Sequence, residues 1–305
     1  MMSDWSRRTK LIGVLLLVLV GLAPGCAGPR GFSFIAAADM RYFTPPDHPG
    51  SEYFAGVCEA VRDVGPGEFM VSPGDLDPPG RVRATIDQIL GADYPWYPVV
   101  GNHEGDHPKH IAYLRDYNRG GDALPGVVRC GPPGAVETCY AFDHENAHFV
   151  VINQYYDGER DMIGDGDVSD ALYEWLERDL VENDKPLVFV FGHEPSVVVP
   201  DMDNGRVRHR GSSLDKYVEN NHRFWTLLCR HGVVAYFCGH SHNASVCKIN
   251  GVWQIDCGHA RGLGDPGARS SFFKLSVGAD GVRCEVYRSD GQGGPYRLTF
   301  AEKLR

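Results

Sequence analysis

Basic side chains are in short supply along this 305-residue chain: 30 Lys and Arg stand against 40 Asp and Glu, a net charge of −10. That shortage argues against non-specific binding to nucleic acid or to an anionic membrane. It leaves a small phosphorylated substrate open, because a bound ion can dominate the charge of a site. No C-x-x-C spacing occurs among the 9 cysteines, so a paired-cysteine zinc framework has no support. Internal repeats, low-complexity tracts and linkers that would split the chain are lacking as well. Asp201-x-Asp203-x-Gly205 is without the terminal glutamate of a calcium loop, and reads as a solvated loop.

The apolar run Leu11 to Leu22 is too short for a comfortable membrane span. It follows the basic start Ser6-Arg7-Arg8-Thr9-Lys10 and precedes Ala23-Pro24-Gly25-Cys26, the layout of an export signal. The last four residues resemble a bacterial lipobox, with Cys26 lipidated and Ala23 where a large aliphatic residue is usual. Residues 1–25 are therefore expected to be removed. With them go Asp4 and three basic groups, a net +2, which takes −10 to −12. The expected location is exported, in the cell envelope or periplasm, held to the membrane only through that lipid. The remaining 8 cysteines form an even set that suits disulfides in an oxidising compartment, with Cys130 and Cys139 the best single pair across Gly131-Pro132-Pro133-Gly134.

Beyond residue 30 the first two-thirds alternate strand and helix, and the last third is mostly strand. Apolar runs predict strands at 32–38, 69–72, 96–100, 140–143, 147–152, 186–191 and 233–238, then 245–249, 252–256, 272–277 and 282–287. Helical spacing predicts helices over 52–64, 81–90, 109–117, 170–180 (capped by Ser169) and 214–230. Asn250-Gly251 and Asp280-Gly281 are hairpin turns. The long stretch from Glu194 to about Ser213 is read as a lid beside a site.

Five of the strands end in a chemical group: Asp39, then Gly74-Asp75, Gly101-Asn102-His103-Glu104, Gly192-His193, and Gly239-His240-Ser241-His242. In open α/β folds sites form beyond the carboxyl ends of strands. Oxygen and imidazole donors suit zinc, iron or manganese rather than calcium. A carboxylate such as Asp75 can bridge two ions, and an ion pair can clamp a phosphate and its attacking oxygen. His107 and His110 are placed near a substrate pocket, and His259 follows a strand. The other histidines, His148 among them, read as surface or loop residues.

In order and span, these motifs resemble the calcineurin-like metallophosphoesterase superfamily, which includes the purple acid phosphatases. The resemblance covers nearly all of 30–305, taken as one metallophosphoesterase domain. It implies an α/β (α+β) fold, a two-sheet β-sandwich flanked by helices. It also implies hydrolysis of a phosphate mono- or diester by metal-activated hydroxide, with a phosphorylated small molecule or envelope component as substrate. By the resemblance, Asp39, Asp75 and His242 would hold a first ion, and Asp75, Asn102, His193 and His240 a second. His103 matches the histidine that contacts the phosphate and protonates the leaving oxygen, and Glu104 would orient a neighbour.

The chain departs from the family at Asp39-Met40-Arg41, where Asp-x-His is usual, and at Pro78, where purple acid phosphatases carry a compensating tyrosine. Asp77, Tyr42 and His259 are the candidate replacements. Either the first ion binds with fewer protein ligands, or one ion binds and Arg41 supplies positive charge, pairing with Asp39 or gripping a phosphate oxygen. Against the enzyme stands one other reading, a catalytically weak binding or structural envelope protein on the same fold. Oligomeric state is not legible.

Overall fold

Alternating apolar and amphipathic segments bury best as sheets covered by helices, and the chain does this twice. The structure is a computed structural model that describes residues 31–40, 53–161, 164–291 and 294–305. The export signal, Cys26, Arg41 and Tyr42 lie outside the described residues.

Strands β1 (Phe32–Ala36), β2 (Met70–Ser72) and β3 (Trp96–Pro98) run parallel, linked by helices α1 (Phe54–Val64) and α2 (Pro79–Leu90). After the short α3 (Asn102–Gly105) and α4 (Pro108–Tyr117), the chain crosses to a second sheet. There β4 (Val127–Cys130), β5 (Tyr140–His144) and β6 (Ala147–Val151) are antiparallel neighbours. Helix α5 (Asp170–Glu182) leads to β7 (Leu187–Phe191), and α6 (Val218–Arg230) to β8 (Ala235–Cys238). The hairpin β9 (Ala244–Ile249) and β10 (Val252–Cys257) closes that sheet, with β10 parallel to β8. Strands β11 (Ser271–Gly278), β12 (Gly281–Arg288) and β13 (Arg297–Lys303) return to the first sheet, β11 lying antiparallel to β1. The strand orders are β13-β12-β11-β1-β2-β3 and β4-β5-β6-β7-β8-β10-β9.

Between the sheets lies a core of phenylalanines: Phe34, Phe69, Phe149, Phe189, Phe191 and Phe237, all buried. Their rings meet offset or edge-on, as ring quadrupoles prefer; Phe34 and Phe69 stack at 5.3 Å, and Phe69 meets Phe149 edge-on at 5.2 Å. Helices α1, α2 and α4 cover the outer face of the first sheet through Val57, Val61, Ile86 and Ile111. Helices α5 and α6 cover the second through Leu172, Leu176, Phe224 and Leu228. The expected two-sheet sandwich flanked by helices is what forms.

Several expectations change in detail. The helix over 214–230 divides into a single 3-10 turn, Leu214–Lys216, and α6. Strands β4 and β13 were not expected: both alternate weakly, and β13 is a polar edge strand. All 8 described cysteines are free. Cys139 is buried, its sulfur accepting from Asn153 N, while Cys130 Sγ faces Gly120 O, and no bridge joins the two. Asp201 is buried, not solvated, and its carboxylate meets the Arg288 guanidinium at 2.9 and 3.2 Å. His148 is likewise buried, between Asp143 and Asp179.

Candidate metal centre

The carboxyl ends of β1, β2 and β3 in one sheet meet those of β7, β8 and β10 in the other. Backbone bonds stitch the loops: Asp39 N donates to Gly74 O at 3.0 Å, and Gly239 N to His193 O at 2.8 Å. A side-chain bond joins the two sheets, His240 N donating to Asp39 Oδ2 at 2.9 Å. The glycines before Asp75, Asn102, His193 and His240 are there for approach. A Cβ on Gly239 would overlap Asp39 Oδ2, and one on Gly101 would overlap the Asp75 backbone.

Asn102 Oδ1 is the focus of the first group. His193 Nε2 and His240 Nδ1 each lie 3.2 Å from it, and His193 Nε2 is 3.3 Å from Asp75 Oδ1. The far nitrogens face carbonyls: His193 Nδ1 meets Pro73 O at 2.7 Å, and His240 Nε2 meets Ser212 O at 3.0 Å. A carbonyl only accepts, so both far nitrogens carry protons. This fixes the tautomer that turns a lone pair inward, as outer partners of metal-ligating imidazoles do. Burial, with His193 and His209 nearby, holds the His240 imidazole well below its ordinary pKa, hence neutral. Burial also disfavours charge on His193, but Asp75 and Asp39 outweigh it and raise that imidazole. The same two carboxylates would favour a metal cation in the proton's place.

Asp39 Oδ1 is buried and makes no hydrogen bond, an orphaned anionic oxygen aimed into the same space. Burial alone would raise its carboxyl; His242, His193 and Arg261 hold it well below the usual range. Among the described residues, one ligand atom each from Asp39, Asp75 and His193 lies within 4.8 Å of the others, a spacing that could hold one ion. Asp75, Asn102, His193 and His240, with Asp39 beside them, fit a divalent metal.

His242 fits less well. Its Nδ1 sits 2.6 Å from Asp265 Oδ2, and Arg208 also touches that nitrogen. Its Nε2 is 3.3 Å from Asp39 Oδ1 but 3.0 Å from Arg261 Nη2. Nε2 thus faces a guanidinium as well as a carboxylate. Arg261 is buried, and its Nε donates to Asp39 O at 2.8 Å. The expected first set of Asp39, Asp75 and His242 thus includes an imidazole engaged by arginine.

His103 stands at the rim, its side chain 24% exposed, with Nε2 3.6 Å from Asp75 Oδ2 and Nδ1 3.9 Å from Asp77 Oδ2. The neighbours that Glu104 orients are backbone amides. Fully buried, it accepts from Asp75 N and Gly101 N through Oε2, at 3.0 and 2.9 Å, and from Leu76 N through Oε1 at 2.8 Å. It braces the β2 loop against the β3 loop. His259 is no substitute ligand: its Nε2 is 3.1 Å from Ala268 O, its Nδ1 accepts from Arg261 N, and burial holds its imidazole at about 3. The loop from Glu194 lies over the centre, since Ser212 O caps His240 and the His209 ring sits 4.2 Å from that of His240.

Sequence reasoning missed Arg261, Asp265 and Arg208. A signal was present for Arg261: it follows β10, a strand end of the same kind as the five that were read, in register with β8.

A profile of the family described as calcineurin-like phosphoesterase matches residues 33–244. The chain is 26% identical over 279 residues to tartrate-resistant acid phosphatase type 5 of Rattus norvegicus, covering 85% of this chain and 81% of that protein. To the Mus musculus protein of that name it is 25% identical over 288 residues, covering 88% and 83%. Among solved structures, PhoD superposes with a TM-score of 0.59 at 13% identity, over 92% of this chain and 71% of that one. GAP50, described as the anchor in the inner membrane complex of Plasmodium, gives 0.56 at 13% identity, over 90% and 89%.

Proposed function

The chain belongs to the calcineurin-like phosphoesterase family, and from that membership we propose that it hydrolyses a phosphate mono- or diester with a divalent ion bound at Asp75, Asn102, His193 and His240. The observation that carries this is the pair of inward imidazole nitrogens, each 3.2 Å from Asn102 Oδ1, beside two buried carboxylates. A bound ion of the zinc, iron or manganese type supplies Lewis acidity there, polarising a phosphoryl oxygen and acidifying water.

The protein's own part is positional. Pro73 O and Ser212 O hold the two imidazoles in the ligating tautomer. Glu104 fixes the loops that carry Asp75 and Asn102. His103, exposed at the rim and facing Asp75 and Asp77, is placed to give a proton to the leaving oxygen. Arg41, beside Asp39 in sequence, keeps its proposed part in gripping phosphate. The apolar leader and Cys26 support export to the cell envelope with a lipid anchor, and among the described residues no helix is long and apolar enough to cross a membrane. Pairing of β11 with β1, beyond the profile match, supports reading 30–305 as one domain.

The test is cleavage of an aryl phosphate and its bis ester by purified protein loaded with manganese or zinc. His103→Ala is expected to lower kcat by about 10²–10⁴-fold. A loaded protein inert toward both esters overturns the reading. A second reading, a binding or structural envelope protein, is favoured by the engagement of His242 with Arg261. It predicts inert protein and an His103→Ala variant that keeps its biological role.

A further inference from the structure

Six strand ends meet at the centre, and the sixth brings a cation of the protein's own. Arg261 arrives from beyond β10, 2% exposed, with Nε on Asp39 O at 2.8 Å, Nη2 on His242 Nε2 at 3.0 Å, and Nη2 also 3.8 Å from Asp39 Oδ1. Asp39 Oδ1 and His242 Nε2 are the two atoms that would distinguish a first ion from a second. Both face this guanidinium. On its other side His242 is held by Asp265, which is itself clamped by Arg206 and Arg208 at 3.0 and 3.1 Å. Asp265 and Arg208 thereby occupy His242 Nδ1 and leave Nε2 between Asp39 Oδ1 and Arg261.

We propose that Arg261 stands in place of the first metal ion, so that the centre binds a single ion through Asp75, Asn102, His193 and His240, with Asp39 Oδ1 turned toward it. The arrangement agrees with the loss of the Asp-x-His histidine at Arg41: the first position has one ligand fewer and a built-in positive charge. Two cations a few ångströms apart repel, and the Arg261 guanidinium lies 3.0 Å from the His242 nitrogen that would face a first ion. His242 and Asp265 are then positioning residues that hold the arginine, not ligands. The inference rests on the proposed metal-dependent reading of the site, but it concerns ion number and not hydrolysis.

The experiment is metal counting. Purified full-length protein is saturated with Mn²⁺, freed of loose ion, and assayed by mass spectrometry of the metal and by electron paramagnetic resonance. One manganese per chain with an isolated six-line signal is expected. Arg261→Ala is expected to take a second ion and show a spin-coupled pair, while Arg261→Lys, which retains the charge, stays at one. Two ions in the wild type overturn the proposal, as does none. A wild type with one ion and an Arg261→Ala variant that also holds one shows that the arginine is not what excludes the second, and overturns it too. Should Arg261→Ala not fold, wild-type stoichiometry and the Arg261→Lys count still decide. The outcomes separate from those of the functional test: hydrolysis with two ions sinks this proposal alone, and one ion without hydrolysis sinks only the enzyme.

Discussion

Asp39, Asp75, His240 and His242 all sit at positive φ, 54°, 57°, 66° and 57°. For a residue with a Cβ this left-handed region costs about 1–2 kcal/mol relative to the ordinary one. Four such residues at one centre mean that surrounding contacts impose the conformation. Glu104 is the clearest of those contacts, since its carboxylate takes the amides of Asp75, Leu76 and Gly101. Glu104→Ala leaves three buried donors without a partner at about 1–3 kcal/mol each. Partial relaxation brings the expected loss to roughly 3–5 kcal/mol. Chemical denaturation would measure it, and a loss below about 1 kcal/mol would show that the brace is replaceable. The residue types of the centre were legible because each ends an apolar run. Arg261 was not, because a cation at a strand end does not look like a ligand. Glu104 was legible as an orienting group but not in which neighbours it takes, since a brace to backbone amides leaves no pattern in sequence.

Strands whose pattern is strong were read nearly to the residue, such as 233–238 against Ala235–Cys238. Those that rely on pairing were not: β13 reads Arg-Leu-Thr-Phe-Ala-Glu-Lys and becomes a strand because β12 offers it an edge. Tertiary contact also decides His148 on β6. Its ring lies 2.7 Å from Asp143 on β5 and 2.9 Å from Asp179 on α5, tying helix to sheet. Burial works against its charge, but Asp179 and Asp143 outweigh burial and raise its pKa above the ordinary 6.5. A raised folded-state pKa adds stability in full below the unfolded value, and that stability fades as pH climbs through the folded one. The melting temperature of wild type is therefore expected to exceed that of His148→Gln most at pH 6 and below, with the gap narrowing toward alkaline pH. A gap that stays constant from pH 5 to pH 9 would refute the charged-imidazole account.

At the scale of the molecule, the centre is where the two sheets are joined by chemistry and not by apolar packing alone. Asp39 and Asp75 come from the first sheet, and His193 and His240 from the second. An ion held by both sets would clamp the sandwich along one edge. It would also relieve two buried carboxylates, one with an oxygen that makes no hydrogen bond. Binding to the folded state alone stabilises by about 2.7 kcal/mol when free ion is a hundredfold above its Kd. For a chain of this size that is a rise of roughly 4–5 °C in Tm. Stripping the protein with a chelator should lower Tm by that amount, and adding back manganese or zinc should restore it. His193→Ala should melt at one temperature with or without ion, because the donor reaching across from the second sheet is gone. If chelation leaves the wild-type transition unmoved, or if His193→Ala still responds to metal, the sheets are not joined through an ion at this edge.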